Sequence, residues 1–273
     1  MKKTGSERKS AEGAESAPPL SESKSSPTPT LERPQFHAPS MLVKSARLRP
    51  LSPSLPTCPP TARKEISPGV ILDSRRALVH VAQGWMAVAD IHFGYEVRRS
   101  RGGALMPDWG MKQCETMLLA SVRDHRPQRL ILVGDIMDGG ASAEETLALL
   151  DRLREDVPLI CVEGNHDRVS LRRGRTFVKS HREGAFLFEH GHLPLSEHAG
   201  VVITGHEHPS VRFKDGAGLQ LRLPALIQEQ TSPKTQRWIL PAFSPWAAGG
   251  KYESSHKRVG TWVCAPGRVW STL

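Results

Sequence analysis

Aromatic residues are scarce in this chain. They make up 5% of its 273 residues, and they do not alternate with lysine or arginine along the sequence. Proteins that bind single-stranded nucleic acid on a stacking surface combine aromatic side chains with a basic groove. The sequence alone therefore gives no sign of such a surface.

Cysteines and long apolar runs are also few. The four cysteines, Cys58, Cys114, Cys161 and Cys264, have no paired spacing, which argues against a disulfide framework. We interpret them as reduced thiols of a cytoplasmic protein. No stretch approaches the ~20 apolar residues of a membrane span, and no apolar segment follows the basic start of the chain as in a signal peptide. We therefore expect neither a membrane association nor secretion.

Positive charge and proline mark the first part of the chain. The whole sequence carries a net charge of +9, and residues 1–65 hold 11 basic and 6 acidic residues among many Ser and Pro. This segment has no sustained apolar period, so it cannot bury enough apolar surface to offset the entropy of ordering it. We expect a disordered basic tail over residues 1–65 and one folded domain over residues 66–273. The basic balance is a weak sign of phosphate-bearing partners.

Five short apolar runs in the folded part each end in side chains of the kind that bind metals. Their sequences are AVADIH, LILVGDIMD, LICVEGNHD, FLFEHGH and VVITGHEH. Apolar runs of this length without polar alternation indicate strands buried on both faces. Ligands collect beyond the carboxyl ends of such strands in open α/β sheets. We therefore expect the five strand ends to meet in space.

The side chains that follow these runs offer oxygen and nitrogen donors and no thiolate. This set suits a pair of divalent ions better than a structural zinc that is ligated by sulfur. A core histidine is the usual explanation for any single one of them, and GDIMD alone is also explained as a turn with an Asx cap. The five motifs together, in this order and each after an apolar run, indicate a metal centre.

The segments between the motifs predict a layered α/β fold. The apolar period of MKQCETMLLASVRDHR predicts a helix that Pro127 ends. Ser142 and Glu145 predict a capping box for a second helix, which runs to about Arg154. Short strand-like segments separated by turns follow the GHEH motif, so we expect a second sheet packed on the first.

A glycine-rich segment, FGYEVRRSRGGALMPDWG, follows the first motif. Its four glycines and its proline argue against a helix throughout. We interpret it as a loop that is able to fold over the metal centre. Its three arginines, Arg98, Arg99 and Arg101, either meet a substrate phosphate or form a solvated charge run.

The ordered motifs DxH, GDxxD, GNHD, HGH and GHxH resemble those of the calcineurin-like metallophosphoesterase superfamily, over about residues 68–273. The resemblance implies a two-sheet β-sandwich flanked by helices, in four layers α/β/β/α. It also implies that a metal-bound hydroxide hydrolyses a phosphomonoester or a phosphodiester. Two divalent ions are implied, with Mn²⁺ expected and Fe, Zn, Ni and Co as alternatives. The GDxVDRG and GNHE forms of protein Ser/Thr phosphatases are absent, since Gly139 and Gly140 follow Asp138.

Seven positions resemble the metal ligands of this superfamily. By this resemblance Asp135 bridges the two ions, and the other six divide into two groups of three. The expected ligands of the first ion are Asp90, His92 and His208, and those of the second are Asn165, His190 and His206.

The residues around the GNHD motif resemble the catalytic group of the superfamily. His166 is the expected general acid, Asp167 the residue that orients its imidazole, and Arg168 the candidate contact to the substrate phosphate. Asp138 is expected to hold His92 or a loop amide from outside the metal shell. We interpret His192 as structural.

A narrower resemblance is to the SbcD-related phosphoesterases, which include the PdeM proteins named as ligase-associated DNA damage response endonucleases. It rests on the arginine after GNHD, on GHEHP, on LPAFSPWAAGG and on APGRVW. It implies a nuclease or nucleotide phosphodiesterase of DNA repair, with nucleic acid or a nucleotide as substrate and a repair ligase or helicase as partner. The alternative is a metal-binding scaffold of the same fold without turnover. The intact Asn165, His166 and Asp167 argue against that alternative.

Overall fold

The computed structural model describes residues 62–172, 175–214, 216–247, 249–254 and 256–272. The predicted tail therefore lies almost wholly outside the described residues. Its last residues are an exception, because the first strand begins at Arg63. Residues 63–65, which the sequence placed in the tail, belong to the sheet.

Within the described residues, the first sheet contains seven strands in the order of the chain. They are β1 (Arg63–Ser67), β2 (Val70–Asp73), β3 (Leu78–His80), β4 (Trp85–Ala89), β5 (Arg129–Val133), β6 (Leu159–Val162) and β7 (Phe177–Val178). Strands β1 to β4 pair antiparallel, and β4 to β7 pair parallel. Parallel neighbours need crossover connections, which helices usually supply.

In the part of the chain that the structure describes, four α-helices follow β4, β5 and β6. They are α1 (Tyr95–Arg101), α2 (Gly110–His125), α3 (Ala143–Asp156) and α4 (Val169–Arg172), with a 3-10 helix at Gly140–Ser142 before α3. The apolar period placed α2 correctly, and Arg126 ends α2 in a left-handed conformation before Pro127. The helix expected from Ser142 to about Arg154 is α3. Helix α1 lies within the glycine-rich segment that the sequence assigned to a loop.

The predicted capping box of α3 is not formed. Ser142 does occupy the N-cap position, but it makes no side-chain cap hydrogen bond. Its hydroxyl instead donates to the carbonyl oxygen of Phe93 at 3.1 Å, and this contact joins α3 to the segment after β4. A tertiary hydrogen bond has replaced the local one.

The second sheet contains the remaining strands. They are β8 (Ser180–Glu183), β9 (Phe186–Glu189), β10 (Gly200–Thr204), β11 (Ser210–Lys214), β12 (Gln220–Ser232), β13 (Thr235–Ile239), β14 (Lys257–Ala265) and β15 (Arg268–Ser271). Their order is β15-β14-β12-β13-β10-β9-β8, and β11 pairs with the first part of β12. Strands β9, β10 and β13 are parallel, and the other pairs are antiparallel.

The central strands of the first sheet are buried on both faces. On β4, Trp85, Ala87 and Ala89 pack against the second sheet, whereas Met86 and Val88 pack against the helices. This alternation follows from the two-residue period of a strand. The continuous apolar runs of the sequence thus correspond to strands that lie between two layers.

The structure confirms a two-sheet α/β sandwich with flanking helices. The described residues after α4 contain no α-helix, so the helical layer expected on the outside of the second sheet is not seen in this part of the chain. No helix in the described ranges has the length and apolar character that crossing a membrane requires.

Candidate metal centre

The ends of five strands from both sheets meet at one edge of the sandwich. Within the first sheet, the backbone N–H of His92 after β4 donates to the carbonyl oxygen of Asp135 after β5 at 2.8 Å. Between the sheets, the backbone N–H of His206 after β10 donates to Oδ2 of Asp90 at 2.9 Å. Hydrogen bonds from backbone N–H groups therefore hold together the strand ends that the sequence predicted to meet.

Backbone strain is concentrated at this edge. Seven non-glycine residues in the described ranges have positive φ angles, and five of them are predicted metal ligands. Their φ angles are 53° at Asp90, 44° at His92, 46° at Asp135, 69° at His206 and 44° at His208. Such conformations cost free energy and cluster at functional sites, where the surrounding structure enforces them.

Two glycines allow the strand ends to approach closely. A Cβ atom on Gly164 would lie 2.1 Å from the backbone nitrogen of Asp135, and one on Gly134 would lie 2.1 Å from Nδ1 of His190. No side chain fits at either position without moving a predicted ligand. The glycines of GNHD and GDIMD are thus required by packing.

One cluster of potential ligands consists of Asp90, His92, Asp135 and His208. Nε2 of His92 lies 3.2 Å from Nε2 of His208 and 3.7 Å from Oδ2 of Asp135. Nε2 of His208 lies 3.4 Å from Oδ1 of Asp90. Two imidazole nitrogens and two carboxylate oxygens therefore converge on one point, as they do around a divalent cation.

A second cluster consists of Asp135, His190 and His206. Nε2 of His190 lies 3.2 Å from Oδ2 of Asp135 and 3.1 Å from Oδ1 of Asn165. Nδ1 of His190 lies 3.2 Å from the carbonyl oxygen of Val133, an acceptor that fixes the proton on Nδ1 and leaves the Nε2 lone pair for a metal. Asp135 belongs to both clusters, as expected of a bridging carboxylate.

The burial of four carboxylates shows whether these residues fit a metal ion. The carboxylates of Asp90, Asp135, Asp138 and Asp167 are all buried, with at most 5% exposure. Burial would raise the pKa of Asp135, but the hydrogen bond and charge of His190 hold it below its usual range. Buried anions at this density need compensating positive charge. The oxygen and nitrogen donors therefore fit divalent metal ions.

His166 lies beside the two clusters and remains half-exposed. Its Nδ1 lies 3.0 Å from Oδ1 of Asp138, and its backbone N–H donates to Oδ1 of Asp135 at 2.8 Å. The other carboxylate oxygen of Asp138 accepts a hydrogen bond from Nε of Arg98 at 2.9 Å. Oδ1 of Asp138 also lies 3.6 Å from Nδ1 of His92, which agrees with the expected supporting role.

Asp167 does not make the contact that the sequence predicted. Its carboxylate accepts hydrogen bonds from the backbone N–H groups of Ile136, Met137 and Gly164 at 2.9, 3.2 and 2.9 Å. Burial raises the pKa of Asp167 to about 6 although these bonds oppose the shift. The turn at Gly164 directs the Asp167 carboxylate onto the loop after β5, so Asp167 joins the loops after β5 and β6. The contact to the His166 ring that the sequence assigned to Asp167 is made by Asp138.

A comparison with protein families agrees with this geometry. The family model described as calcineurin-like phosphoesterase matches residues 86–269. The chain belongs to the calcineurin-like phosphoesterase family. It is thus a phosphoric ester hydrolase with a cluster of His and Asp suited to divalent metals.

Two solved structures were found to be similar to this phosphoesterase. The nuclease MPE of Pseudomonas putida superimposes with a TM-score of 0.56 at 23% identity, covering 74% of this chain and 94% of that chain. Yfce, a phosphoesterase from E. coli, gives a TM-score of 0.35 at 16% identity, covering 66% of this chain and 86% of that chain. No curated protein gave a significant match. The first similarity shows a common fold.

Two other predicted residues of this phosphoesterase lie outside both clusters. The side chain of Arg168 is exposed, so its contact to a phosphate stays a prediction. The His192 ring lies 5.2 Å from the His190 ring between centroids, and burial lowers the pKa of His192. His192 is absent from the groups of described residues that are arranged to hold a metal.

Sequence reasoning missed the support that the loop after β13 gives to the centre. The Arg76 guanidinium donates through Nη1 to the carbonyl oxygens of Ala242, Phe243 and Ser244 at 3.2, 3.0 and 2.9 Å. The backbone N–H of Ser244 in turn donates to the carbonyl oxygen of Asp90 at 3.1 Å. No local motif marks Arg76, because its partners are distant in sequence.

Proposed function

We propose that this phosphoesterase hydrolyses phosphodiesters with two divalent metal ions, and that its substrate is nucleic acid. The observation that carries the proposal is the position of Asp135 between two ligand clusters. Its Oδ2 lies 3.7 Å from Nε2 of His92 in one cluster and 3.2 Å from Nε2 of His190 in the other. A single carboxylate shared in this way is suited to bridging two ions.

The proposed ligands form two groups, one for each ion. Asp135 serves both ions, and Mn²⁺ is the expected metal, with Fe, Zn, Ni and Co as alternatives. When bound, the ions polarise the phosphoryl oxygens and acidify the attacking water. The proposed ligands of the first ion are Asp90, His92 and His208, and those of the second are Asn165, His190 and His206.

His166 is the proposed general acid. Because its Nδ1 faces Oδ1 of Asp138 at 3.0 Å, Nε2 is the nitrogen left to protonate the leaving oxygen as the phosphorus–oxygen bond breaks. The buried Asp138 carboxylate fixes the ring and balances the charge of the imidazolium. Asp167 contributes by holding the loops after β5 and β6 in register.

Nucleic acid is supported as the substrate by charge and by similarity. The chain carries a net charge of +9, and the exposed Arg98, Arg99 and Arg101 lie on α1, directly after the first ligand motif. The Pseudomonas putida protein with this fold is named a nuclease. The resemblance to SbcD-related and PdeM proteins supports a role in DNA repair, with a ligase or helicase as partner. A cytoplasmic location stays a prediction.

We propose that the catalytic domain begins at β1. Strand β1 pairs with β2 from Arg63 onward, so the domain needs residues that the sequence assigned to the tail. Deletion of residues 1–61 is expected to leave phosphodiesterase activity intact. Loss of activity in a truncated protein that still folds, as judged by circular dichroism, would contradict this boundary.

The test is hydrolysis of bis-p-nitrophenyl phosphate and p-nitrophenyl phosphate by metal-stripped protein to which Mn²⁺ is added back. We expect metal-dependent hydrolysis of the diester and its loss in His166→Ala. His256→Ala is a matched control, because His256 is exposed and outside the ligand clusters. Hydrolysis of the monoester alone would contradict the diester proposal. Two bound metals without turnover of either compound would indicate the scaffold alternative.

A further inference from the structure

An arginine on β13 lies beside the loops that carry two predicted metal ligands. The side chain of Arg237 is 11% exposed, and its Nε donates to the hydroxyl oxygen of Thr204 at 3.1 Å. Strand β10 ends at Thr204 and leads into His206, and the backbone N–H of Gly205 donates to the carbonyl oxygen of His190 at 3.1 Å. Arg237 therefore binds the strand end at which the loops of the second ligand cluster meet.

A second nitrogen of the guanidinium faces the loop after β10. Nη2 of Arg237 lies 3.5 Å from Oε1 of Glu207, which stands between the two histidines of GHEH. Among the residues that the structure describes, Glu207 is the one carboxylate within ion-pair distance of Arg237. A guanidinium presents its N–H groups in a rigid fork, so it holds two partners in a fixed geometry.

The loop after β9 approaches the same guanidinium. A Cβ atom on Gly191 would lie 3.2 Å from Nη2 of Arg237 and 3.2 Å from Cβ of Thr204, which is closer than an ordinary contact. Gly191 also has a φ of 99°, a conformation that favours glycine. Because Gly191 directly follows His190, the guanidinium lies next to both loops that carry ligands of the second cluster.

A purely structural ion pair accounts less well for these contacts. The register of β12 and β13 places the fully buried Glu229 directly opposite Arg237. Between them, the Tyr252 hydroxyl donates to Oε2 of Glu229 at 3.1 Å and accepts from Nη1 of Arg237 at 3.4 Å. Oε1 of Glu229 has no hydrogen-bond partner in the described part of the chain. The guanidinium thus reaches the ligand loop although a buried carboxylate, which is costly to leave unpaired, lies opposite it.

We propose that Arg237 is a positioning residue of the second metal site, which fixes the loops of His190 and His206 relative to each other. Groups that orient metal ligands from outside the metal shell change metal affinity about 10- to 100-fold when they are replaced. The first cluster has separate support, since the backbone N–H groups of Ser244 and Gly250 bond the carbonyl oxygens of Asp90 and His208. The effect should therefore fall on one ion. This inference rests on the proposed two-ion centre.

The test measures Mn²⁺ binding to the metal-stripped full-length protein. Isothermal titration calorimetry gives the two affinities, and electron paramagnetic resonance distinguishes a single Mn²⁺ from a spin-coupled pair. Wild type should bind two ions and show the signal of the pair. Arg237→Gln should lower the affinity for one ion about 10- to 100-fold, keep that for the other and lose the pair signal at the Mn²⁺ concentration that just saturates wild type. In a His206→Ala background, Arg237→Gln should have no further effect on the remaining ion.

Arg258→Gln is the matched control. Arg258 lies on β14 opposite the other side of Glu229, and it is exposed and donates to the carbonyl oxygen of Tyr252 at 3.0 Å. It should bind two ions as wild type does. Thr204→Val removes the acceptor of Nε and should weaken the same ion to a smaller extent. If circular dichroism shows that Arg237→Gln does not fold, Thr204→Val decides the question.

Three results would refute the positioning role. They are two ions bound with wild-type affinity after both substitutions, equal weakening of both ions by Arg237→Gln, and the same loss in Arg258→Gln. An effect of Arg237→Gln on the ion that remains in His206→Ala would also contradict it. Binding of fewer than two Mn²⁺ by wild type would instead refute the proposed function.

Discussion

Replacing Asp138 by Asn tests which carboxylate supports the general acid. Asp138 is fully buried, and its two oxygens contact Nδ1 of His166 at 3.0 Å and Nε of Arg98 at 2.9 Å. Asparagine keeps the size of the side chain and removes its charge. The substitution should therefore weaken the support of the His166 ring without creating a cavity.

The expected magnitude follows from the loss of one charged hydrogen bond. Such a bond contributes about 1.5–3 kcal/mol, which corresponds to a decrease in kcat of about 10- to 150-fold. The decrease should depend on the leaving group, because a general acid matters most when the departing oxygen is strongly basic. We expect the full effect on a phenyl or alkyl phosphodiester and a much smaller effect on bis-p-nitrophenyl phosphate.

The assay measures kcat for both diesters at saturating Mn²⁺, since the 3.6 Å contact from Asp138 to His92 also supports metal binding. His166→Asn should show the same dependence on the leaving group. Asp167→Asn should lower both rates to a similar extent, because its carboxylate holds backbone amides. Equal losses on both diesters in Asp138→Asn would refute the support of His166 by Asp138.

Three further predictions concern the centre and the stability of the fold. Gly164→Ala should abolish Mn²⁺ binding and activity, because its Cβ would lie 2.1 Å from the backbone nitrogen of Asp135; full metal content by elemental analysis would contradict this. Chelation should lower the Tm, because removing a metal that is present at 100 times its Kd lowers the free energy of unfolding by about 2.7 kcal/mol. The Tm of Asp135→Asn should not change when chelator is added. Asp73→Asn should lower the free energy of unfolding at pH 7 by about 3–5 kcal/mol, because the buried carboxylate accepts hydrogen bonds from Arg75 and His125, each at 2.8 Å. Burial would raise the pKa of Asp73, but these bonds hold it below its usual range, so the stability is present above the unfolded-state pKa of about 4 and is lost as the pH falls. In urea titrations the difference between wild type and variant should therefore shrink below about pH 4, and a constant difference would contradict the assignment.

Much of the candidate centre was predictable because its signals are local. Each motif that was predicted to bind a metal follows an apolar run within a few residues. Ligands collect at the carboxyl ends of buried strands. Helix α2 was equally predictable from the sequence, since burial of one face leaves a helical period. The capping box failed because Ser142 has a better partner in Phe93, which local spacing does not reveal.

The sequence by itself determined which donor groups follow the five apolar runs: oxygen and nitrogen atoms, a glycine where strand ends crowd, and no thiolate. The tertiary structure decided which of these groups touch. It placed the strand ends before Asp90, Asp135 and Asn165 in one sheet and those before His190 and His206 in the other. It also gave the contact to the His166 ring, which was expected of Asp167, to Asp138. The same packing put Arg237 beside two ligand loops, a position that no sequence pattern marks. The physical reason is that polarity patterns record burial along one element, whereas distances between elements depend on how the sheets pack.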